Sequence, residues 1–319
     1  MKKLFLTFLI VLVSLSFFSC GKISTLKFYE SCLTGDEKIV SKYLSSENFS
    51  IELSEKETSK FIETLEKFDS ESLFFWEYEN VFIGNPIAVS ILGNNNSITK
   101  LLCEKIPIEN INHDNIVYVC AKMNNIEMGK YLFEQNILPT TYLSFISMIE
   151  NDNVDMFKLF SVIIDDITAE VYKTGENFLM ISAQKNAVNC VKYLVDTKLF
   201  DINKYNKDYQ TALGLANYYG ASSEIKTYLK NAKGECLHDT VRDLVQRFDS
   251  MTTRMENLCK SKDYTYNDVL STIQAFNSLI DSSQIKMIDL PRNMSDWQKN
   301  IFSKSFENMY YAFDKLQYL

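Results

Sequence analysis

Along residues 26–233 short apolar groups with helical spacing alternate with polar, turn-prone segments. The stretch 201–220, DINKYNKDYQTALGLANYYG, holds one such junction, in which a polar hairpin-like half runs straight into the small apolar TALGLA. Comparable runs begin around Ile87, Val117, Phe145, Leu179 and Leu213, at intervals of 30, 28, 34 and 34 residues. The last two share a frame in which Ser182/Ala216, Asn186/Gly220, Val191/Ile225 and Lys192/Lys226 are also 34 apart. A period of this size predicts stacked helix–turn–helix units. Small residues at Ser182, Ala183 and Ala216 let the first helix of a unit lie close to its neighbour. Val191, Leu194, Ile225 and Leu229 seal the second helical layer. No such unit buries its own apolar face, so its stability comes from stacking.

Beyond residue 234 the period stops. Leu237, Val241, Leu244, Phe248, Met251, Met255 and Leu258 recur at three- and four-residue steps and predict an amphipathic helix. Val269, Ile273, Phe276 and Ile280 predict a second, with Thr265 or Asn267 as N-cap. Pro291 breaks the chain, and Trp297, Ile301, Phe302, Phe306, Tyr310, Phe313 and Leu316 predict a third helix capped by Ser295. Three such helices form either a small bundle or a cover for the open end of the repeats. The expected fold class is all-α, a helix-turn-helix solenoid followed by a C-terminal helical bundle or cap. Its segments are 1–19, 20–25, 26–233 and 234–319.

The repeat residues resemble the ankyrin repeat. In one unit the matches are Gly175, Leu179, Ser182-Ala183 and Val191-Lys192. In the next they are Thr211-Ala212-Leu213, Ala216, Gly220 and Ile225-Lys226. Weaker units center on Pro86-Ile87 with Ser90, on Val117 with Cys120-Ala121 and Asn124, on Phe145 with Met148-Ile149, and on Phe28 with Ser31-Cys32 and Gly35. The gap from Phe28 to Ile87 leaves room for one degenerate unit around SEKETSKFIETLEKFD, for about six or seven in all. Most units lack the Thr-Pro-Leu-His motif, and a helical-hairpin solenoid of another family is the alternative. The resemblance implies finger loops, marked by Asp201-Ile202-Asn203, Asn110-Ile111-Asn112 and Asp166-Ile167-Thr168, and a concave face that binds protein. In that frame the exposed inner-helix positions are Lys122 and Met123, Glu150 and Asn151, Gln184 and Lys185, and Tyr218 and Tyr219. Tyr205 and Tyr209 fall in a finger. Tyrosine is favored at interface hot spots, although one Tyr of each pair packed under the C-terminal helices is an equal alternative.

Composition and charge narrow the partner. The 319 residues are 46% hydrophobic and 23% charged, with 9 Gly and 4 Pro, too few for a loop-rich β protein. The net charge of −8 and the absence of a basic stripe argue against nucleic acid. The opening MKKLFLTFLIVLVSLSFFSC has Lys2 and Lys3 before an apolar run to Ser19, the pattern of a secretory signal peptide. The run is borderline in length for an uncleaved membrane anchor. Ser19-Cys20 resembles a bacterial lipoprotein lipobox, from which Phe17 and Phe18 depart. That resemblance implies lipid attachment at Cys20 and a place in a bacterial cell envelope, on its periplasmic or surface face. The six later cysteines, scattered through apolar helical patterns without CxxC, are expected to be mostly free, buried thiols.

Little chemistry is readable. The two histidines lie apart, His113 in an expected finger and His238 near a helix start. No P-loop, G-x-S-x-G, H-E-x-x-H or dinucleotide fingerprint occurs. The acidic ENDNVDMF and VIIDDIT lack the central Gly and terminal Glu of a calcium loop. The expectation is therefore a non-catalytic, lipid-anchored module that binds an unidentified protein partner. No cofactor, metal, nucleic acid or small-molecule substrate is expected. The alternative is an envelope enzyme or inhibitor acting through the C-terminal helices, favored if His238, Asp239, Asp243 and Glu256 converge in one pocket.

Overall fold

A computed structural model describes residues 23–47, 49–68, 81–107, 109, 111–261, 263–287 and 294–316. The signal segment 1–19, Cys20, Asn110 and Pro291 lie outside the described residues. Among the described residues there are sixteen helices, and the one β-type pairing is an isolated antiparallel bridge between Tyr205 and Thr211. The chain divides into two compact units, Met1–Ile163 and Ile164–Leu319.

The first unit holds α1 (Thr25–Thr34), α2 (Glu37–Leu44), α3 (Glu55–Phe68), α4 (Pro86–Leu92), α5 (Asn96–Lys105), α6 (His113–Lys122), α7 (Ile126–Glu134), α8 (Leu143–Glu150) and α9 (Val154–Ser161). All but α3 form antiparallel pairs. The first helices stack in the order α1, α4, α6, α8, while α2 packs on α5 and α7 on α9. The anchors Ile87, Val117 and Phe145 are buried at equivalent places in this stack. Full burial of such a side chain contributes about 1.5–3 kcal/mol, which no isolated pair could gain.

The segment SEKETSKFIETLEKFD forms α3, which lies along α1, while the α1–α2 pair stacks directly on α4–α5. Its Phe61 meets Tyr29 edge to face, with ring centers 5.1 Å apart. Glu57 accepts from the backbone N–H of Leu26 at 3.3 Å and from the Ser54 hydroxyl at 2.8 Å. Those hydrogen bonds from Ser54 hold the Glu57 carboxyl below its usual range.

The second unit continues with α10 (Phe178–Gln184), α11 (Val188–Asp196), α12 (Ala212–Tyr218) and α13 (Ser223–Asn231), again with first helix on first and second on second. Leu179 and Leu213 are 1% and 3% exposed, the shared environment their spacing predicts. The C-terminal helices are α14 (Asp239–Lys260), α15 (Tyr266–Met287) and α16 (Asp296–Leu316). Leu244, Phe248, Met255, Phe276, Met309 and Leu316 give them a core of their own. A second cluster of Leu237, Val241, Val245 and Ile301 packs against Tyr209, so the helices also cover the last repeat finger. Thr265 caps α15 through its hydroxyl, with Asp268 answering, and Asn267 lies inside the helix. Ser295 caps α16 by accepting from Gln298 N at 3.2 Å.

One turn joins the helices of every pair. Gly35, Asn94, Asn124, Asp152, Asn186 and Gly220 all take positive φ, between 49° and 88°. Gly and Asn tolerate this region because one lacks Cβ and the other bonds locally. The residue after each donates its N–H back to Ser31, Ser90, Cys120, Met148, Ser182 or Ala216, closing a Schellman bond of 2.8–3.1 Å. Asparagines then join neighbors. Asn95 donates to the carbonyls of Cys32 and Leu33, at 2.8 and 2.9 Å. Asn125 donates to Asn96 at 2.9 Å and Asn153 to Asn124 at 2.5 Å. Asn125 and Asn153 also cap the following helix, each accepting from the N–H three residues on at 3.0 Å.

His113 departs from expectation. It is the first residue of α6 and not part of a finger, because Asn112 caps that helix by accepting from Asn115 N at 3.3 Å. Asp114, in the same first turn, accepts from the N–H and hydroxyl of both Thr140 and Thr141 at 2.5–3.2 Å, tying α6 to the loop before α8.

Candidate functional site

The frame's inner-helix residues occupy the same two places in each pair, the last helical residue and the C-cap. In the first unit these are Lys122 and Met123 on α6, and Glu150 and Asn151 on α8. Lys122 Nζ pairs with Glu150 Oε2 at 2.8 Å and sits 5.8 Å from the Tyr118 ring center. Asn151 donates to the Ala121 carbonyl at 2.8 Å. Met123 is 38% exposed and is the apolar surface of this row.

In the second unit the positions are Gln184 and Lys185 on α10, and Tyr218 and Tyr219 on α12. Gln184 is half-buried and Lys185 exposed. The tyrosines are 70% and 52% exposed and meet edge to face with ring centers 5.0 Å apart. Their hydroxyls have no hydrogen-bond partner among the described residues. Tyr218 edges a cleft of about 350 Å³ with Asn217, Cys236, His238, Asp239 and Arg242.

Tyr205 and Tyr209 line a different cleft, of about 380 Å³, between the finger and helices α14 and α16. Their rings stack at 5.0 Å, and Tyr205 meets Trp297 edge to face at 6.4 Å. The Tyr209 hydroxyl donates to Asp249 Oδ2, and the buried Ser305 hydroxyl donates to Asp249 Oδ1. Burial pushes the Asp249 carboxyl above its usual range, while the Ser305 bond pulls it down. Tyr209 has φ +57°, at the place where the preceding finger has Gly175 with φ +95°. A bulky side chain there costs about 1–2 kcal/mol, offset at this position by the bond to Asp249 and the ring stacking. This polar lock was missed in the sequence. The tyrosine standing 34 residues after Gly175 was the available signal.

Residues 145–240 match the family model for ankyrin repeats, in three copies. The match starts at the anchor Phe145 and runs from α8 through α13 into the first residues of α14. No curated protein matches the chain. The all-α fold is thus that of ankyrin-like helix pairs followed by a C-terminal helical region.

The groups named for possible chemistry are divided. His238 and Asp239 share the cleft of Tyr218, Asp243 lines another, and Glu256 pairs with Lys260 at 3.2 Å. His238 uses Nδ1 to accept from Thr240 N as the N-cap of α14. Cys32, Cys103, Cys120 and Cys190 are buried and Cys236 and Cys259 half-buried, and none of the six forms a disulfide. Burial pushes the Cys103 and Cys120 thiols up to about 12, so neither forms a thiolate near neutrality. Among the described residues no group of His, Cys, Asp and Glu is placed to hold a metal ion. No described helix is long and apolar enough to cross a membrane.

Proposed function

We propose that this protein is a non-catalytic binding module, tethered to a bacterial envelope by lipid on Cys20, that captures a protein partner through its helix-pair ends. Ankyrin repeats generally mediate protein–protein interaction, and residues 145–240 match them. The observation that carries the reading is the Tyr218–Tyr219 pair. Two adjacent aromatic rings stand 70% and 52% exposed at the inner-helix positions of one pair, and they pack edge to face on each other. Tyrosine combines a large contact area with a polar tip and few rotatable bonds, which suits an interface anchor. Gln184 and Lys185, at the same positions of the adjacent pair, supply polar rim contacts.

The test is crosslinking of the natural protein in membranes, followed by mass spectrometry, beside Tyr218→Ala/Tyr219→Ala and Cys20→Ala. The tyrosine variant should lose its crosslinked partner at an unchanged unfolding midpoint. The Cys20 variant should leave the membrane fraction. A tyrosine variant that keeps its partner refutes the surface, and a Cys20 variant that stays in the membrane refutes the tether.

A further inference from the structure

Of the chain's 33 basic residues only four are arginine, namely Arg242, Arg247, Arg254 and Arg292. Three of the four stand on the single helix α14. Lysine serves the rest of the surface, so this concentration asks for a property that lysine lacks. Arginine offers a rigid, planar fork of five N–H donors that matches oxyanions in two-point contact. Arg242 is accounted for by its ion pair with Asp239, at 2.8 Å. Arg247 and Arg254 are not, since no carboxylate among the described residues pairs with either.

Seven residues separate Arg247 from Arg254, two turns of one helix face and about 10 Å along its axis. Each spends one N–H on a hydroxyl of α15. Arg247 Nη2 donates to Ser282 at 2.9 Å and Arg254 Nη2 to Ser271 at 3.3 Å. These bonds hold the stems across the helix pair and leave most of both forks uncommitted. The two arginines line the same groove, of about 470 Å³, with the hydroxyls of Ser250 and Ser278 between them and Met251 and Leu279 also lining it. Neither hydroxyl has a partner among the described residues. Asp243 stands at one end, and its charge opposes an anion.

We propose that the groove between α14 and α15 binds a phosphoryl group, clamped between Arg247 and Arg254 and seated on the hydroxyls of Ser250 and Ser278. One arginine fork satisfies a carboxylate. Two forks and two hydroxyls fit the larger set of acceptor oxygens on a phosphoryl group.

Titration of the full chain with inorganic pyrophosphate at low salt, followed by phosphorus NMR, tests this. Arg247→Lys and Arg254→Lys keep the charge but lose the fork, and each should weaken binding about tenfold. Ser278→Leu alters an exposed residue of α15 and fills the groove while leaving both arginines in the sequence, so binding should vanish while the circular dichroism stays native. Binding that survives Ser278→Leu, or equals wild type in Arg247→Gln/Arg254→Gln, overturns the proposal. No saturation of the wild type by about 10 mM probe does the same. Vesicles containing phosphatidic acid distinguish the source. Arginine-dependent vesicle binding assigns a lipid headgroup, whereas pyrophosphate binding without it assigns a soluble phosphate.

Discussion

Replacing Tyr209 by Phe removes one hydroxyl from the finger cleft and leaves the ring stacked on Tyr205. The lost bond is to a half-buried carboxylate, Asp249, whose other oxygen is held by Ser305. A hydrogen bond to a charged acceptor contributes about 1.5–3 kcal/mol, against about 0.5–1.5 kcal/mol for a neutral one. Tyr209→Phe should therefore destabilize the docking of the C-terminal helices by about 2 kcal/mol in the natural background. With Asp249→Asn already present the same change should remove about 1 kcal/mol, so the cycle leaves a coupling near 1 kcal/mol. Urea unfolding at pH 7 followed by Trp297 fluorescence reads this locally, in a Trp76→Phe background that silences the other tryptophan. Additivity within about 0.3 kcal/mol would refute the lock. Such a result would leave the left-handed backbone at Tyr209 with ring stacking on Tyr205 as its compensation.

Gly93→Ala should lower stability of the first unit by about 3 kcal/mol or more, because its Cβ would stand 2.1 Å from the Leu33 carbonyl oxygen and 2.6 Å from Asn95 Nδ2. Gly220→Ala, with open space but φ +70°, should lose only about 1 kcal/mol, and equal losses in thermal melts would contradict the close approach. Asn153→Ser keeps the cap on α9 but drops the amide donated to Asn124. It should lower stability by about 1 kcal/mol, and a denaturation midpoint at the natural value would show that the link contributes nothing. Burial alone would raise the Asp114 carboxyl, but the bonds from Thr140 and Thr141 outweigh it and hold it below its usual range. Its contribution is present above the ordinary carboxylate pKa and is lost as pH falls through the lowered value, so Asp114→Asn should flatten the acid limb of the stability profile. The raised Asp249 carboxyl works oppositely, its contribution fading as pH rises through its folded value.

The repeat frame was readable because stacking imposes the same demands at Leu179 and Leu213, and at Ser182 and Ala216, whatever the local sequence. The three tail helices were readable from their apolar steps alone. α3 was harder. Its apolar spacing is that of any amphipathic helix, and nothing local says that it lies along α1 instead of adding a pair to the stack. His113 was misplaced because the polar triplet before it resembles a finger, whereas Asn112 acts as a cap. The lock at Asp249 joins residues 40 and 56 positions away in the chain, and no short-range pattern announces such a contact. The aligned inner positions carried the candidate surface, but spacing could not say that Glu150 neutralizes Lys122 while Tyr218 edges a cleft beside α14 and Tyr219 stays exposed.

In every pair four residues separate the carbonyl that closes the Schellman bond from the left-handed residue, while the repeat length itself varies between 28 and 34 over its last five anchors. Most of the slack in the period is taken up on the finger edge, since the second helices differ by only two residues in length, from 8 in α9 to 10 in α5. An epitope or reporter spliced between Gln135 and Tyr142 meets an edge that already varies in length. The same splice between Leu92 and Asn96 would unpick a helix cap and a neighbor contact at one stroke. For anyone rebuilding this scaffold, one border is editable and the opposite one is the seam.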